Sequence, residues 1–332
     1  MSHDPVVIVN GARTPMGGFQ GNLSSVTATT LGAISIREAL KRAGVQPEQV
    51  QEVIMGCVLP AGLKQGPARQ AALEAGIPAA AGATTVNKLC GSGMKATMLA
   101  HDLIKAGTND IMVAGGMESM SNAPYILPKA RGGYRMGHGQ IMDHMFLDGL
   151  EDARTGRLMG SFAQDMATTL GLGRADMDAF AVESLRRANA AIANGDFKAE
   201  IVAVPVSTRK GEVLVDTDEQ PGNANPEKIP TLKPAFAKDG TITAANASSI
   251  SDGASALVLM KESKARELGL QPLARIVGHS TQSQDPSEFT IAPIGAFATL
   301  FAKTGWSADS VDLFEINEAF AMVTMAAMMK HN

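Results

Sequence analysis

The chain is 332 residues long and is poor in cysteine: Cys57 and Cys90 are the only two. Two thiols build no disulfide framework and are too few for a zinc site of their own, so this usage fits a reducing, cytoplasmic compartment and no resident metal. An excess of charge of either sign is also lacking. Lys and Arg number 29 against 33 Asp and Glu, a formal net charge of −4, and nothing points to a nucleic-acid or membrane surface. No apolar run reaches the length of a bilayer span, and Met1-Ser2-His3-Asp4-Pro5 has neither a basic region nor an apolar one behind it. What is present, 45% apolar and 19% charged residues over this length, suits a soluble globular protein with two core-bearing domains.

Periodicity predicts strands alternating with helices. Val6–Val9, Val53–Val58, Ala83–Val86 and Ile111–Ala114 are short apolar runs, and 254–260 is a fifth. Helices are predicted over Thr30–Ala43 with Gly44 as the stop, over 68–75, from near Ser92, and over 177–193. This alternation implies βαβ units and a parallel sheet. Between Ser121 and about Thr241 the pattern breaks up, with Pro124, Pro128, Gly132, Gly133, Gly137 and Gly139 interrupting any long element. An internal repeat follows. Residues 43–55 and 304–316 share the order helix end, turn and strand, and Leu273–Val277 restarts the first strand. The last helix, 319–329, is apolar on nearly every side, with Met322, Met325, Met328 and Met329, and is expected in an interior.

The stretch from Val86 to Ala96 carries the chemistry. The strand at 83–86 stops at Asn87-Lys88, and Met94, Met98, Leu99 and Leu103 recur at helical spacing, which sets Cys90 in a tight strand-to-helix turn. Helix N-terminal N–H groups favour a thiolate there. A thiolate with backbone donors beside it suits an acyl-accepting nucleophile. Cysteine is also often a small buried hydrophobe, and spacing alone does not choose between the two.

The motif Asn87-Lys88-Leu89-Cys90-Gly91-Ser92-Gly93-Met94-Lys95-Ala96 resembles the nucleophile motif of thiolases, the acyl-CoA C-acyltransferases. The resemblance extends along the chain through Ala12-Arg13-Thr14-Pro15, 114–121 (Ala-Gly-Gly-Met-Glu-Ser-Met-Ser), 243–248 (Thr-Ala-Ala-Asn-Ala-Ser) and Asn317-Glu318-Ala319-Phe320. It implies a thiolase-like α/β fold: two similar βαβαβ halves in a layered α/β/α/β/α core, the second half incomplete, plus an inserted loop domain. The corresponding division is 1–120 completed by 242–270, a loop domain over 121–241 that covers the CoA site and makes oligomer contacts, and 271–332. It further implies transfer of an acyl group through an S-acyl intermediate on Cys90, condensing two acetyl-CoA to acetoacetyl-CoA or running the reverse thiolysis. Asn317 would hold a water near the carbonyl oxygen. Leu150, Met159, Phe236, Ala244, Ser248, Ala319 and Phe320 would line the acyl-CoA pocket. The thioester is substrate, with no further cofactor, and the partner is a second copy of the chain in a dimer or tetramer.

Departures from the family pattern are also legible. The Gly-His-Pro histidine and the Cys-x-Gly cysteine of thiolases do not occur in this sequence, and Leu158-Met159-Gly160 stands where many members have His-Met-Gly. The repeat and these two motifs together raise the expectation that the family's C-terminal segment is lacking. The alternative is therefore a catalytically incomplete chain that binds CoA or only oligomerises. A ketosynthase-like condensing enzyme is disfavoured by the 115–119 and 317–320 motifs.

Overall fold

The structure, a computed structural model, describes residues 4–331, which form two compact units. The first holds the chain up to Gly149, then Gly195–Gln220 and Ile250–Ile276. Its elements are β1 (Val6–Arg13), α1 (Ala28–Ala43), β2 (Glu52–Gly56), α2 (Pro67–Glu74), β3 (Gly82–Val86), α3 (Ser92–Ala106), β4 (Ile111–Ser119), the hairpin β5 (Val204–Thr208) and β6 (Gly211–Val215), and β7 (Ser251–Lys261). Local signals set their ends. Thr27 caps α1 by accepting the Thr30 N–H, and Gly44 closes it at a left-handed φ of 68°.

Among the described residues the main sheet has seven strands, in the order Ala274–Arg275, β1, β7, β4, β2, β3, with the short pair Gly17–Gly18 against β7. β2 runs parallel to both β3 and β4. β7 is antiparallel to β1 and to β4, so the sheet is mixed rather than wholly parallel. The reason lies in the chain path: it leaves the sheet at Ser119 and re-enters at Asp252, its direct partner, so the returning strand must run the other way. Alternation along the strands then feeds two faces. Val53, Met55, Val113, Val258 and Met260 pack with Leu31, Ile36 and Leu40 of α1 in one cluster. Ile54, Met112, Ala114 and Leu259 pack with Ala96, Ala100 and Ile104 of α3 in another.

The second unit is Leu150–Asn194, Pro221–Ser249 and the chain from Val277 on. Its helices are α4 (Met159–Thr169), α5 (Arg174–Asn194), α6 (Ala292–Thr304) and α7 (Ala321–His331). Ala163, Ala167, Met177, Ile242, Met322, Val323 and Ala326 form its core. Here the repeat is realised only in part. A helix closed by a left-handed glycine and then a short 3-10 turn recurs, as α1, Gly44 and Pro47–Gln49, and as α6, Gly305 and Ala308–Ser310. The strand expected over 311–316 does not form, and 273–277 yields only the two-residue pairing with β1. Among the described residues 311–316 has no neighbouring strand to hold it extended, whereas 273–277 is tied to β1 by Leu273 N–H to Ile8 O (2.9 Å) and Ile276 N–H to Val6 O (3.0 Å). The terminal helix starts at Ala321, two residues later than expected. It buries Met322 but leaves Met328 and Met329 more than half exposed.

Candidate active site

Cys90 sits in the first unit, in the turn between β3 and the first residue of α3. The approach of helix to sheet depends on a missing side chain: a Cβ on Gly56, the last residue of β2, would fall 2.6 Å from Ser92 Cβ. The turn itself is closed by short hydrogen bonds. Gly91 N–H donates to Lys88 O (3.1 Å), and the Ser92 hydroxyl donates to Leu89 O (2.6 Å) while accepting the Lys88 N–H (2.9 Å). Leu89, half exposed, is held at φ 48°, a left-handed conformation that costs a leucine about 1–2 kcal/mol. This strained residue lies directly beside the exposed thiol of Cys90.

The two thiols differ sharply. Cys57 is buried, and burial together with the Glu118 carboxylate pushes its thiol up to about 12. Cys90 is exposed to solvent, yet enough protein surrounds its sulfur for desolvation to raise its pKa too, as does the Glu118 charge, while its own backbone N–H pulls it down. The helix end alone therefore does not deliver the expected thiolate in the free protein. Glu118 belongs to β4 and accepts hydrogen bonds from Val58 N (2.8 Å) and Leu59 N (3.0 Å), and burial raises its own pKa. Iodoacetamide should therefore label Cys90 before Cys57, with a pH midpoint above the ordinary thiol range. In Glu118→Gln that midpoint should move down, because removing an anionic neighbour favours the thiolate. A midpoint that stays put or rises, read by mass spectrometry across pH, would refute the electrostatic account.

The remaining predicted residues, from Leu150 onward, lie in the second unit, where several come together. A bridge between Glu151 and Leu158 brings the chain at Leu150 beside Met159, which opens α4. The Phe236 ring lies against the next backbone position, since a Cβ on Gly160 would come 2.1 Å from its Cζ. Phe236 also meets Phe320 edge to face, 6.3 Å between centroids. Ser248 N–H donates to Ala319 O (2.9 Å), and Ala247 bridges Phe320. Ala244 and Asn317 are exposed, and Asn317 precedes α7 by too many residues to cap it.

Two residues of evident importance were not singled out from the sequence. One is Glu118. The other is Asn246, buried at 3% exposure within the 243–248 motif. Its side chain accepts from Thr243 N (2.8 Å) and donates to Asp178 Oδ1 (3.1 Å) and Thr241 O (3.0 Å), and its carbonyl accepts from Ala321 N (2.8 Å). A polar residue inside a run of small ones is the signal that could have found it. Asn246→Ala strands several buried partners and should cost about 2 kcal/mol, measured by denaturant unfolding. A change under about 0.5 kcal/mol, the scale of an ordinary surface substitution, would remove it as the organiser of this turn.

Comparison with known proteins agrees with the motifs. The N-terminal thiolase domain matches over 6–263 and the C-terminal thiolase domain over 270–332. The chain belongs to the thiolase family. The C-terminal match means that the expectation of a lacking C-terminal segment is not borne out. Acetyl-CoA acetyltransferase of Schizosaccharomyces pombe is 48% identical over 328 residues, 98% of this chain and 83% of that protein. The Pseudomonas aeruginosa protein of the same name is 49% identical over 323 residues, covering 97% and 82%. Among solved structures, Acat5 thiolase from Ascaris suum in complex with coenzyme A superposes with a TM-score of 0.93 at 39% identity, covering 98% of this chain and 84% of that one. The thiolase-like α/β fold read from the motifs is thus correct. Among the described residues no helix is long and apolar enough to cross a membrane.

Proposed function

We propose that this thiolase is an acetyl-CoA C-acetyltransferase that interconverts two acetyl-CoA with acetoacetyl-CoA and free CoA. The observation that carries the reading is the solvent-exposed Cys90, held in a strained turn at the start of α3, in a chain whose relatives at 48% and 49% identity bear that name. The Cys90 sulfur attacks the thioester carbonyl, a tetrahedral oxyanion forms, and it collapses with departure of the CoA thiolate to leave an acetyl thioester on Cys90. The Cys90 N–H, together with a water held by Asn317, is assigned to the oxyanion. The α-carbon of a second acetyl-CoA, giving up a proton that ends on the released CoA thiolate, then attacks the acetyl thioester and expels the Cys90 thiolate to give acetoacetyl-CoA, and thiolysis runs the same bond changes in reverse. The CoA thioester is the substrate, and the chemistry calls for no other cofactor. Leu150, Met159, Phe236, Ala244, Ser248, Ala319 and Phe320 are assigned to the acyl-CoA pocket, and the loop domain over 121–241 to covering it. Incubation with acetyl-CoA should leave one acetyl group on Cys90 by peptide mass spectrometry. Acetyl found elsewhere, or on no residue, refutes the assignment.

We further propose a cytoplasmic tetramer built as a pair of dimers. β3 ends the sheet and pairs on one side only among the described residues, and an unpaired edge is a template for a second copy. The 121–149 stretch exposes Tyr125, Met136 and Ile141, with Met136 97% exposed, which suits pairing of dimers. Analytical ultracentrifugation should give a tetramer, and a strictly monomeric profile counts against both surfaces. The free, unpaired state of the two cysteines supports the compartment.

A further inference from the structure

The strain at Leu89 needs something to hold it, and the side chain that does so is Asn87. Its Oδ1 accepts the Leu89 N–H at 2.9 Å, and its Nδ2 donates to Val58 O at 3.4 Å. Val58 lies just beyond β2, in a segment fixed in turn by β4: Glu118 Oε2 accepts the Val58 N–H at 2.8 Å and Oε1 the Leu59 N–H at 3.0 Å. Three strands thus meet through one polar chain, from β4 through Glu118 to the end of β2, and through Asn87 to the turn that ends β3. Ser92 grips the other side of the same residue through Leu89 O.

We propose that Asn87 and Glu118 are positioning residues for the nucleophile, a relay that keeps Leu89 left-handed so that the Cys90 sulfur and N–H face one carbonyl together. The proposal rests on Cys90 being the acyl acceptor and adds the residues that aim it. The relay works by orientation. A peptide plane released at Leu89 would swing the Cys90 N–H away from the developing oxyanion while leaving the sulfur exposed to small reagents. The two consequences separate acylation from simple alkylation.

The experiment measures acylation of Cys90 by acetyl-CoA and its alkylation by iodoacetamide in wild type, Asn87→Ala, Leu89→Gly and the double variant. Asn87→Ala should acylate on the order of 10²-fold more slowly, the scale of a misplacement of about 1 Å, while alkylation changes by only about threefold. Leu89→Gly should acylate nearly as wild type, because glycine occupies the left-handed region without strain. In the double variant it should recover much of the lost rate, which a merely structural loss at Asn87 would not allow. Glu118→Gln, which keeps one acceptor for two donors, should fall between wild type and Asn87→Ala. Should Asn87→Ala fail to fold, Asn87→Leu, which is close in shape but has neither the acceptor for Leu89 N–H nor the donor to Val58 O, replaces it with the same expected recovery. Equal acylation in wild type and Asn87→Ala, or no recovery in the double variant, overturns the relay and leaves the acyl-transfer reading intact. Absence of acylation in the wild type overturns that reading and the relay with it.

Discussion

Cys90→Ser lowers acetoacetyl-CoA thiolysis by on the order of 10⁴-fold or more while leaving the fold intact, the scale set by removal of a nucleophile in other covalent enzymes. A serine hydroxyl is a far weaker nucleophile near neutral pH than even a thiol held above its ordinary pKa, and no second exposed cysteine stands in for it. The residue is solvent-exposed and belongs to none of the buried core clusters, so a melting curve should overlay that of the wild type. Turnover within tenfold of wild type would make Cys90 a structural residue. Cys57→Ser, by contrast, replaces a buried thiol that donates to Glu118 at 3.7 Å, and its effect should fall on stability before rate.

Gly115→Val has the second large effect, on folding. Gly115 lies in β4 opposite Ala256 of β7, and a Cβ there would fall 2.0 Å from Ser255 O and 2.9 Å from Ala256 Cα. Both are backbone atoms in the middle of the sheet, so no rotamer relieves the clash and the two strands must separate. Overpacking typically costs about 1–3 kcal/mol and more where nothing can move, so a loss of about 3 kcal/mol or more is expected. At about 2–4 °C per kcal/mol, the melting temperature should fall by roughly 10 °C. A shift of less than about 3 °C would mean that β4 and β7 are more loosely paired than these distances imply.

Elements with strong local signals were legible in the sequence. α1 and α3 carry a cap or closing glycine, and in α1 the apolar periodicity at Leu31 and Leu40 gives the buried face, whereas in α3 the buried face is Ala96, Ala100 and Ile104 and Met94 is exposed. β2 is a short apolar run with a neighbour on each side, and β3 is a short run that pairs with β2 alone. The mixed character of the sheet was not legible, because the direction of β7 depends on where a 131-residue excursion returns, and no local propensity encodes that. The strand expected at 311–316 fails for the same reason, since extended backbone is stable only with a partner. At the site, Cys90 was visible through its motif, and Glu118 was part of a motif without a role. Its function lies in accepting two backbone N–H groups some 60 residues away in the chain, a relation that only the fold creates.

The position of β7 also fixes an order of events. Residues 6–119 supply five of the seven strands of the sheet, but β1 and β4 stand one strand apart, and the strand that fills the space between them ends only at Lys261. During synthesis the nucleophile turn, with β3 before it and α3 after it, is therefore made well before the centre of the sheet can close. The closing pairs join Arg13 to Ser255 and Ser119 to Asp252, each across a long loop whose ends must find one another. The nascent chain thus carries two apolar strand edges through the making of more than a hundred further residues. The rate of production of active protein should then be set by how long those edges stay apart from other chains, and by the return of one strand.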